Sequence, residues 1–540
     1  MASGEAPSTR QASGRTTRRR QPAPWRAVAL VVALVGALLC AGIGILGLVG
    51  ADDGLRRVAT VADEVPLEAV TAARAVERGP GVVVVHGFAG STPLMRGFAD
   101  TLARSGYTVV LLDAAGHGRN RVPFGSAPLT DDLATALRHL RGLPTVDPTR
   151  VGLLGHSMGA GAVLAEATRD PGVVATVAIS AGSASDVGPG ARNVLVLAGG
   201  LEFAGIRAEG ARVARAVHPD AEPDRTYGDP DTGTARRYAE IPGVEHVSVL
   251  FSAATHRAAL DWFDAALRPA RTTAPVVDPL GRAGPALLLH LAAVLGFGPL
   301  AALVLVRRAA PVEADAGPGE AVPPRRGATA GGRPRVLVAV APIAAAAGAT
   351  LVMRAVPAGW LPVRVADYAM GWLAVFGLVL LALGRLGPAH RGPAPVRVVG
   401  ATAVLATAVL AAFTVVGFAV PAQLGWAWAT PAGTRLWLLL PAFAATALLV
   451  AGLEAVTGRH PVLGHAWAAL VVVLGLTGAV LVGGAPSFVL FVVPLLAVLL
   501  VWQGATAAVL RSRAMPAWSI AAVGGALLAW PLALTFPITA

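Results

Sequence analysis

Val151-Gly152-Leu153-Leu154-Gly155-His156-Ser157-Met158-Gly159-Ala160-Gly161 is the stretch that decides the fold. A short β-rich run, 151–154, enters the pattern G-x-S-x-G at Gly155–Gly159 and leaves it in a helical pattern, 159–168. A serine in that place is held at a tight strand-to-helix corner. The flanking glycines allow close backbone approach, and the helix start points free N–H groups and a positive dipole toward a reacting oxygen. Five residues alone recur by chance; the strand before them and the helix after them make the pattern informative.

Outward from this corner, β-rich runs at 82–85, 108–112, 151–154, 173–179 and 193–197 alternate with helical patterns at 94–104, 131–141 and 159–168. Ser91-Thr92-Pro93 offers an N-cap and an early-turn proline for the first helix. Strands alternating with helices predict a mostly parallel sheet covered on both faces. The segment 52–279 has the charge density of a soluble domain, and about 230 residues suffice for one such core.

Upstream of the corner, the run 82–85 leads into His86-Gly87-Phe88-Ala89-Gly90, and the run 108–112 into Asp113-Ala114-Ala115-Gly116-His117-Gly118-Arg119. With the serine corner, these motifs resemble the α/β-hydrolase superfamily in its single-domain esterase and dienelactone-hydrolase-like branches. The resemblance covers about 58–267 and stops before the apolar remainder. It implies an acid after the seventh strand and a histidine after the eighth. Glu202, after the run 193–197, matches the acid where most members carry Asp. His246, in Pro242-Gly243-Val244-Glu245-His246, matches the histidine after a strand at 236–241. The resemblance thus implies Ser157 as nucleophile, His246 as base and Glu202 as the residue orienting it. The backbone N–H groups of Phe88 and Met158 would form an oxyanion hole.

Rival residues exist. Asp186 and Asp229 are alternative carboxylates, and His218 and His256 alternative imidazoles, both expected to face solvent on or beside helices. His86, His117 and His156 read as braces for the loops around the serine, and Asp113 as a residue ordering the loop after the fourth strand. The short link 183–192 leaves no room for a lid, which predicts an open cleft unless the apolar remainder supplies a cover.

Composition describes that remainder. Of 540 residues, 55% are hydrophobic and only 14% charged, far too few charges for a soluble protein of this length. Residues 51–284 hold 23 Arg against 26 Asp plus Glu; all the other residues hold 21 Arg against 6 acids. The net charge of +12 therefore belongs to the apolar portion and its loops, which excludes a nucleic-acid-binding role. The single cysteine, Cys40, permits neither an intrachain disulfide nor a Cys-based zinc site. Residues 1–25 form a basic tail expected to be disordered, and 26–50 an uncleaved transmembrane anchor, with a signal peptide as the competing reading. Across 285–538, further spans are expected near 285–306, 336–356, 367–384, 398–420, 436–454, 466–484, 487–510 and 517–536. With the anchor they make about nine transmembrane helices in an all-α membrane domain.

With the tail inside, the inside segments carry 18 Arg and the short outside loops three, Arg354, Arg364 and Arg435. The positive-inside rule then puts the N-terminus in the cytoplasm and the hydrolase-like domain outside a multi-pass cell-membrane protein. Trp360, Trp426, Trp428 and Trp437 fit an interfacial aromatic belt or a docking surface for a lipid-borne substrate. His290, Asp367, Glu454 and His465 read as structural or interfacial rather than as a proton path. The expected function is a membrane-anchored extracytoplasmic serine hydrolase, without cofactor or metal, cleaving an ester or related acyl bond of a small-molecule or lipid-borne substrate. The alternatives are an acyltransferase acting on a cell-envelope acceptor, and a non-catalytic binding or sensor module attached to a transporter-like membrane domain.

Overall fold

The computed structural model describes residues 24–74, 78–182, 190–268, 279–305, 335–357, 359–386, 400–457, 461–513 and 515–540. The tail up to residue 23, the Arg-bearing loop 306–334, Asp186 and most of the link 183–192 lie outside them.

Runs such as Val82–Val85 are apolar on both faces because the strands they form are buried on both faces. Helix α1 (Pro24–Gly50) leads into β1 (Leu55–Ala62), β2 (Val65–Ala72), β3 (Gly79–Val85), β4 (Thr108–Leu112), β5 (Val146–His156), β6 (Val173–Ile179), β7 (Val194–Gly199), β8 (Thr226–Tyr227) and β9 (Arg236–Ile241). Among the described residues these form one sheet in the order β1-β2-β4-β3-β5-β6-β7-β9-β8. The strands from β4 to β9 in that order pair in parallel, while β1, β2 and β8 join antiparallel at the two edges.

Five helices cover the sheet: α2 (Thr92–Arg104), α3 (Leu129–Gly142), α4 (Met158–Arg169), α5 (Ala204–Arg215) and α6 (Ala253–Leu267). Val83 and Val85 pack with α3, α4 and α5, while Val82 and Val84 turn to Met95 and Phe98 of α2 and Phe263 of α6. The two-residue alternation of a strand thus builds two cores from one sequence run. One local expectation is corrected here. The Ser91 side chain makes no cap hydrogen bond; Asp113 instead accepts from the Thr92 N–H at 2.7 Å, so the start of α2 is capped from the loop after β4.

The remaining helices are α7 (Ala283–Leu305), α8 (Arg335–Met353), α9 (Ala366–Leu386), α10 (Ala401–Thr414), α11 (Val420–Leu424), α12 (Arg435–Thr457), α13 (Pro461–Leu481), α14 (Val492–Ser512) and α15 (Ala517–Thr535). A π-helical segment, Val415–Ala419, joins α10 to α11, and a 3-10 turn, Ser487–Phe491, opens α14. Counting these joined pieces as single spans, nine helices among the described residues are long and apolar enough to cross a membrane. Small residues let them approach closely. A Cβ on Gly452 would stand 2.5 Å from the Gly377 carbonyl, so only glycine permits the crossing of α9 and α12. Glu454 pairs with Arg511, and Asp367 accepts the N–H groups of Gly359 and Tyr368 at the start of α9.

Two polar junctions join the sheet to the apolar helices. At one, Arg57 of β1 pairs with Asp52, Glu68 and Asp100, and Arg282, just before α7, pairs with Asp52 and Asp100. At the other, Arg435, read above as an outside-loop charge, is 2% exposed. It donates to the carbonyls of Gly116 at 2.6 Å, Gly118 at 3.2 Å, Leu534 at 3.1 Å and Phe536 at 2.7 Å. Ile538 completes this junction by exchanging backbone hydrogen bonds with Gly116 and Phe124. Arg435→Met keeps the bulk but leaves these buried carbonyls unpaired. It is expected to destabilise the protein by about 3 kcal/mol, read as a lower thermal unfolding midpoint of the full-length chain in detergent.

Candidate active site

The carboxyl ends of β3, β4, β5, β7 and β9 lie along one edge of the sheet, and the loops leaving them carry the residues that the sequence singled out. Ser157 sits between β5 and α4 with φ 51° and ψ −112°, a left-handed conformation unusual for a side-chain-bearing residue. Its N–H donates to the Ile179 carbonyl at 2.8 Å. A Cβ on Gly159 would stand 2.7 Å from the carbonyls of Val85 and His86, and one on Gly155 would overlap the Gly159 backbone. The two glycines therefore let β3, β5 and α4 converge, leaving Ser157 half-buried at the sheet edge.

His246 comes from the loop after β9, one strand later than counted from the sequence because the two-residue β8 precedes it. Its Nε2 is 3.0 Å from Ser157 Oγ. Its Nδ1 is 3.7 Å from Oε2 of Glu202, beyond hydrogen-bond length, and neither atom has another partner among the described residues. A shift of roughly half an ångström or more would bring the pair to hydrogen-bond length. Glu202 is 6% exposed. Its other oxygen accepts from Ser180 Oγ and from the Gly199 N–H. Ser180, at the end of β6, was not singled out by the sequence, where a serine after an apolar run has no distinguishing neighbour. Among the described residues, no acceptor takes the N–H of Phe88 or of Met158, and both residues adjoin the serine corner.

The rivals fall away from this group. Asp229 lies in an exposed turn closed by Thr232 and Thr234, and His218 stacks beside Tyr227. His256 does not face solvent, contrary to expectation: it is 2% exposed, stacked on Phe98, and bonded to Thr101 Oγ1 and the Leu250 carbonyl. The bracing histidines behave as read. His86 Nδ1 donates to the Gly87 carbonyl and its Nε2 accepts from the Ala114 N–H. His117 donates to the Ala115 carbonyl. His156 Nε2 donates to the carbonyl of His246 at 2.9 Å, tying the serine corner to the histidine loop. Asp113 orders its loop through Thr92 and Arg119. It also accepts from Trp428 Nε1 at 2.7 Å, a contact with the apolar helices that nothing in the local sequence announces. The Arg119 guanidinium lies 3.6 Å above the Trp428 ring.

Burial pushes His156 down to about 3, helped by His246 beside it, and pushes His256 down to about 4. Each imidazole is thus neutral in the folded protein across a range where the unfolded chain is protonated. Stability is complete above about pH 6.5 and falls as pH drops below it, by up to about 1.4 kcal/mol per unit for each imidazole until the folded values are reached. The thermal midpoint is expected to be flat above pH 7 and to decline toward pH 4. His256→Asn, though less stable at pH 7, is expected to lose that group's share of the slope.

A family model described as serine aminopeptidase, S33, matches residues 78–260. The chain is 33% identical over 107 residues to a thiohydrolase of Arthrinium phaeospermum, covering 19% of this chain and 35% of that protein. It is 33% identical over 93 residues to an uncharacterized protein of Mycobacterium tuberculosis, covering 17% of this chain and 33% of that one. The chain thus spans about a third of the length of the curated relatives it matches. A dienelactone hydrolase from Anabaena variabilis aligns over 40% of this chain and all of its own, at 21% identity and a TM-score of 0.33. The parallel sheet, the serine corner and the family match over residues 78–260 together identify this part of the chain as a domain of the α/β-hydrolase fold.

Proposed function

We propose that the protein is a membrane-anchored, extracytoplasmic serine hydrolase that cleaves an ester or related acyl bond through Ser157, His246 and Glu202. The observation that carries this reading is the 3.0 Å approach of His246 Nε2 to Ser157 Oγ at the strand-to-helix corner. His246 takes the serine proton as Oγ adds to the acyl carbon. Glu202, turned toward Nδ1, holds the ring in the matching tautomer and stabilises the imidazolium. The N–H groups of Phe88 and Met158 receive the negative oxygen of the tetrahedral intermediate. His246 then protonates the leaving group, and a water molecule, activated by the same nitrogen, releases the acyl group from Ser157. The extracytoplasmic side is supported by the sixfold excess of Arg in the segments assigned to the cytoplasm. A thiohydrolase among the relatives is compatible with acyl chemistry.

The test is labelling of the full-length protein with a fluorophosphonate probe, together with turnover of an ester panel. Wild type is expected to label at Ser157 and Ser157→Ala not at all; a wild-type protein that never labels would favour a binding module. His246→Ala and Glu202→Gln are expected to lower kcat by about 10³-fold or more, with smaller changes in KM.

A further inference from the structure

The 3-10 turn Ser487–Phe491 meets the hydrolase domain at the candidate site. The Phe488 ring lies 4.6 Å from that of Phe88, and the Phe491 ring 5.8 Å from that of His246. The two phenyl rings stand 5.8 Å apart and nearly parallel, 27° between planes. Both are well exposed, 44% and 46%, although they touch residues that flank the nucleophile. This turn also begins the apolar stretch Ser487–Ser512. Twenty-six residues of helix measure roughly 39 Å, against a hydrocarbon core of roughly 30 Å, so a span centred in the bilayer carries this turn to the bilayer surface. His246 is then one ring's width from that surface.

The free part of the same sheet edge is apolar as well. Between residues 55 and 267, the exposed large hydrophobic side chains among the described residues are Val58, Val61, Leu201, Phe203 and Val247. Three of these five immediately flank Glu202 and His246. Their loops leave β7 and β9, three and four strands along from β3. Val247 follows His246, whose ring already meets Phe491, so this apolar stretch runs on from the 3-10 turn. Phe203 is 75% exposed, a loss for a side chain in water and a gain for one in the acyl region.

We infer that the substrate is the carboxylic ester of a bilayer-resident amphiphile with a long aliphatic acyl chain. It enters from the leaflet facing the hydrolase domain, past Leu201, Phe203 and Val247, and its acyl chain lies against Phe488 and Phe491. This deepens the serine-hydrolase reading and rests on it. In the reaction the Ser157 Oγ–acyl bond forms as the ester C–O bond breaks, and the serine proton passes through His246 to the leaving alcohol. Water then supplies the oxygen for the free fatty acid and returns a proton to Ser157.

The experiment uses the full-length protein in phosphatidylcholine vesicles, with a palmitoyl ester dissolved in the bilayer and the corresponding acetyl ester in water. Wild type is expected to prefer the palmitoyl ester. The double variant Phe488→Ala/Phe491→Ala is expected to lower the palmitoyl-to-acetyl ratio of kcat/KM about tenfold or more, whatever its absolute rates. Phe203→Glu is expected to raise KM for the bilayer ester about tenfold with little change in kcat. A wild type that labels with fluorophosphonate yet shows no chain-length preference, or a double variant with an unchanged ratio, overturns this inference alone. Absence of labelling removes the hydrolase reading and this one with it.

Discussion

The hydrolase domain depends on one backbone corner. Ser157 is held at positive φ, a conformation that costs a side-chain-bearing residue about 1–3 kcal/mol and persists only where its surroundings fix it. Those surroundings are specific. The Ser157 N–H is tied to β6, its carbonyl accepts from Ala160 and Gly161 in the first turn of α4, and the flanking glycines admit backbone where no methyl group would fit. The strain has a use: it sets the hydroxyl at the start of α4 beside the Met158 N–H, which has no acceptor among the described residues. Ser180 sits at φ 56° at the matching end of the neighbouring strand, and it steers Glu202. Two serines at positive φ, at the ends of adjacent strands, thus set the positions of the Ser157 hydroxyl and of the Glu202 carboxylate.

What was legible in the sequence follows from where interactions are local. Strands β3 to β7 announced themselves because each is an apolar run buried on both faces, and the apolar helices because each is long enough to span lipid. The β1–β2 hairpin did not. Leu55–Ala62 carries Arg56 and Arg57 on a half-exposed strand, and that alternation reads as loop until its partner is known. The approach of His246 to Ser157 and Glu202 was reachable because each of the three follows a strand in a known order. Ser180 was not, since its role exists only through Glu202, twenty-two positions away. His256 was read as solvent-facing because a histidine in an amphipathic helix gives no sign that Phe98, Thr101 and Leu250 will enclose it.

The least legible feature is the union of the two halves. Trp428 reads as an interfacial tryptophan and Arg435 as a loop charge, yet both are spent on the loop after β4. Asp113 thereby serves three masters: the start of α2, the Arg119 backbone and the Trp428 indole. Glu68 accepts from both Arg57 and Arg96, and Arg96 lies over the Trp428 ring, so the Arg57–Asp52–Arg282 junction runs on into this one. The phenyl rings of Phe88 and Phe488 meet between the same two halves.

The backbone exchange between Ile538 and the loop at Gly116 and Phe124 has a temporal side. A ribosome makes the loop well before Ile538, so the hydrolase core can condense while its β4 loop still lacks a partner. That loop is completed only once α15 has emerged and settled beside α12. The arrival of Ile538 therefore acts as the latch of the assembly, and a polypeptide stalled before it would carry a formed sheet whose rim is unfinished.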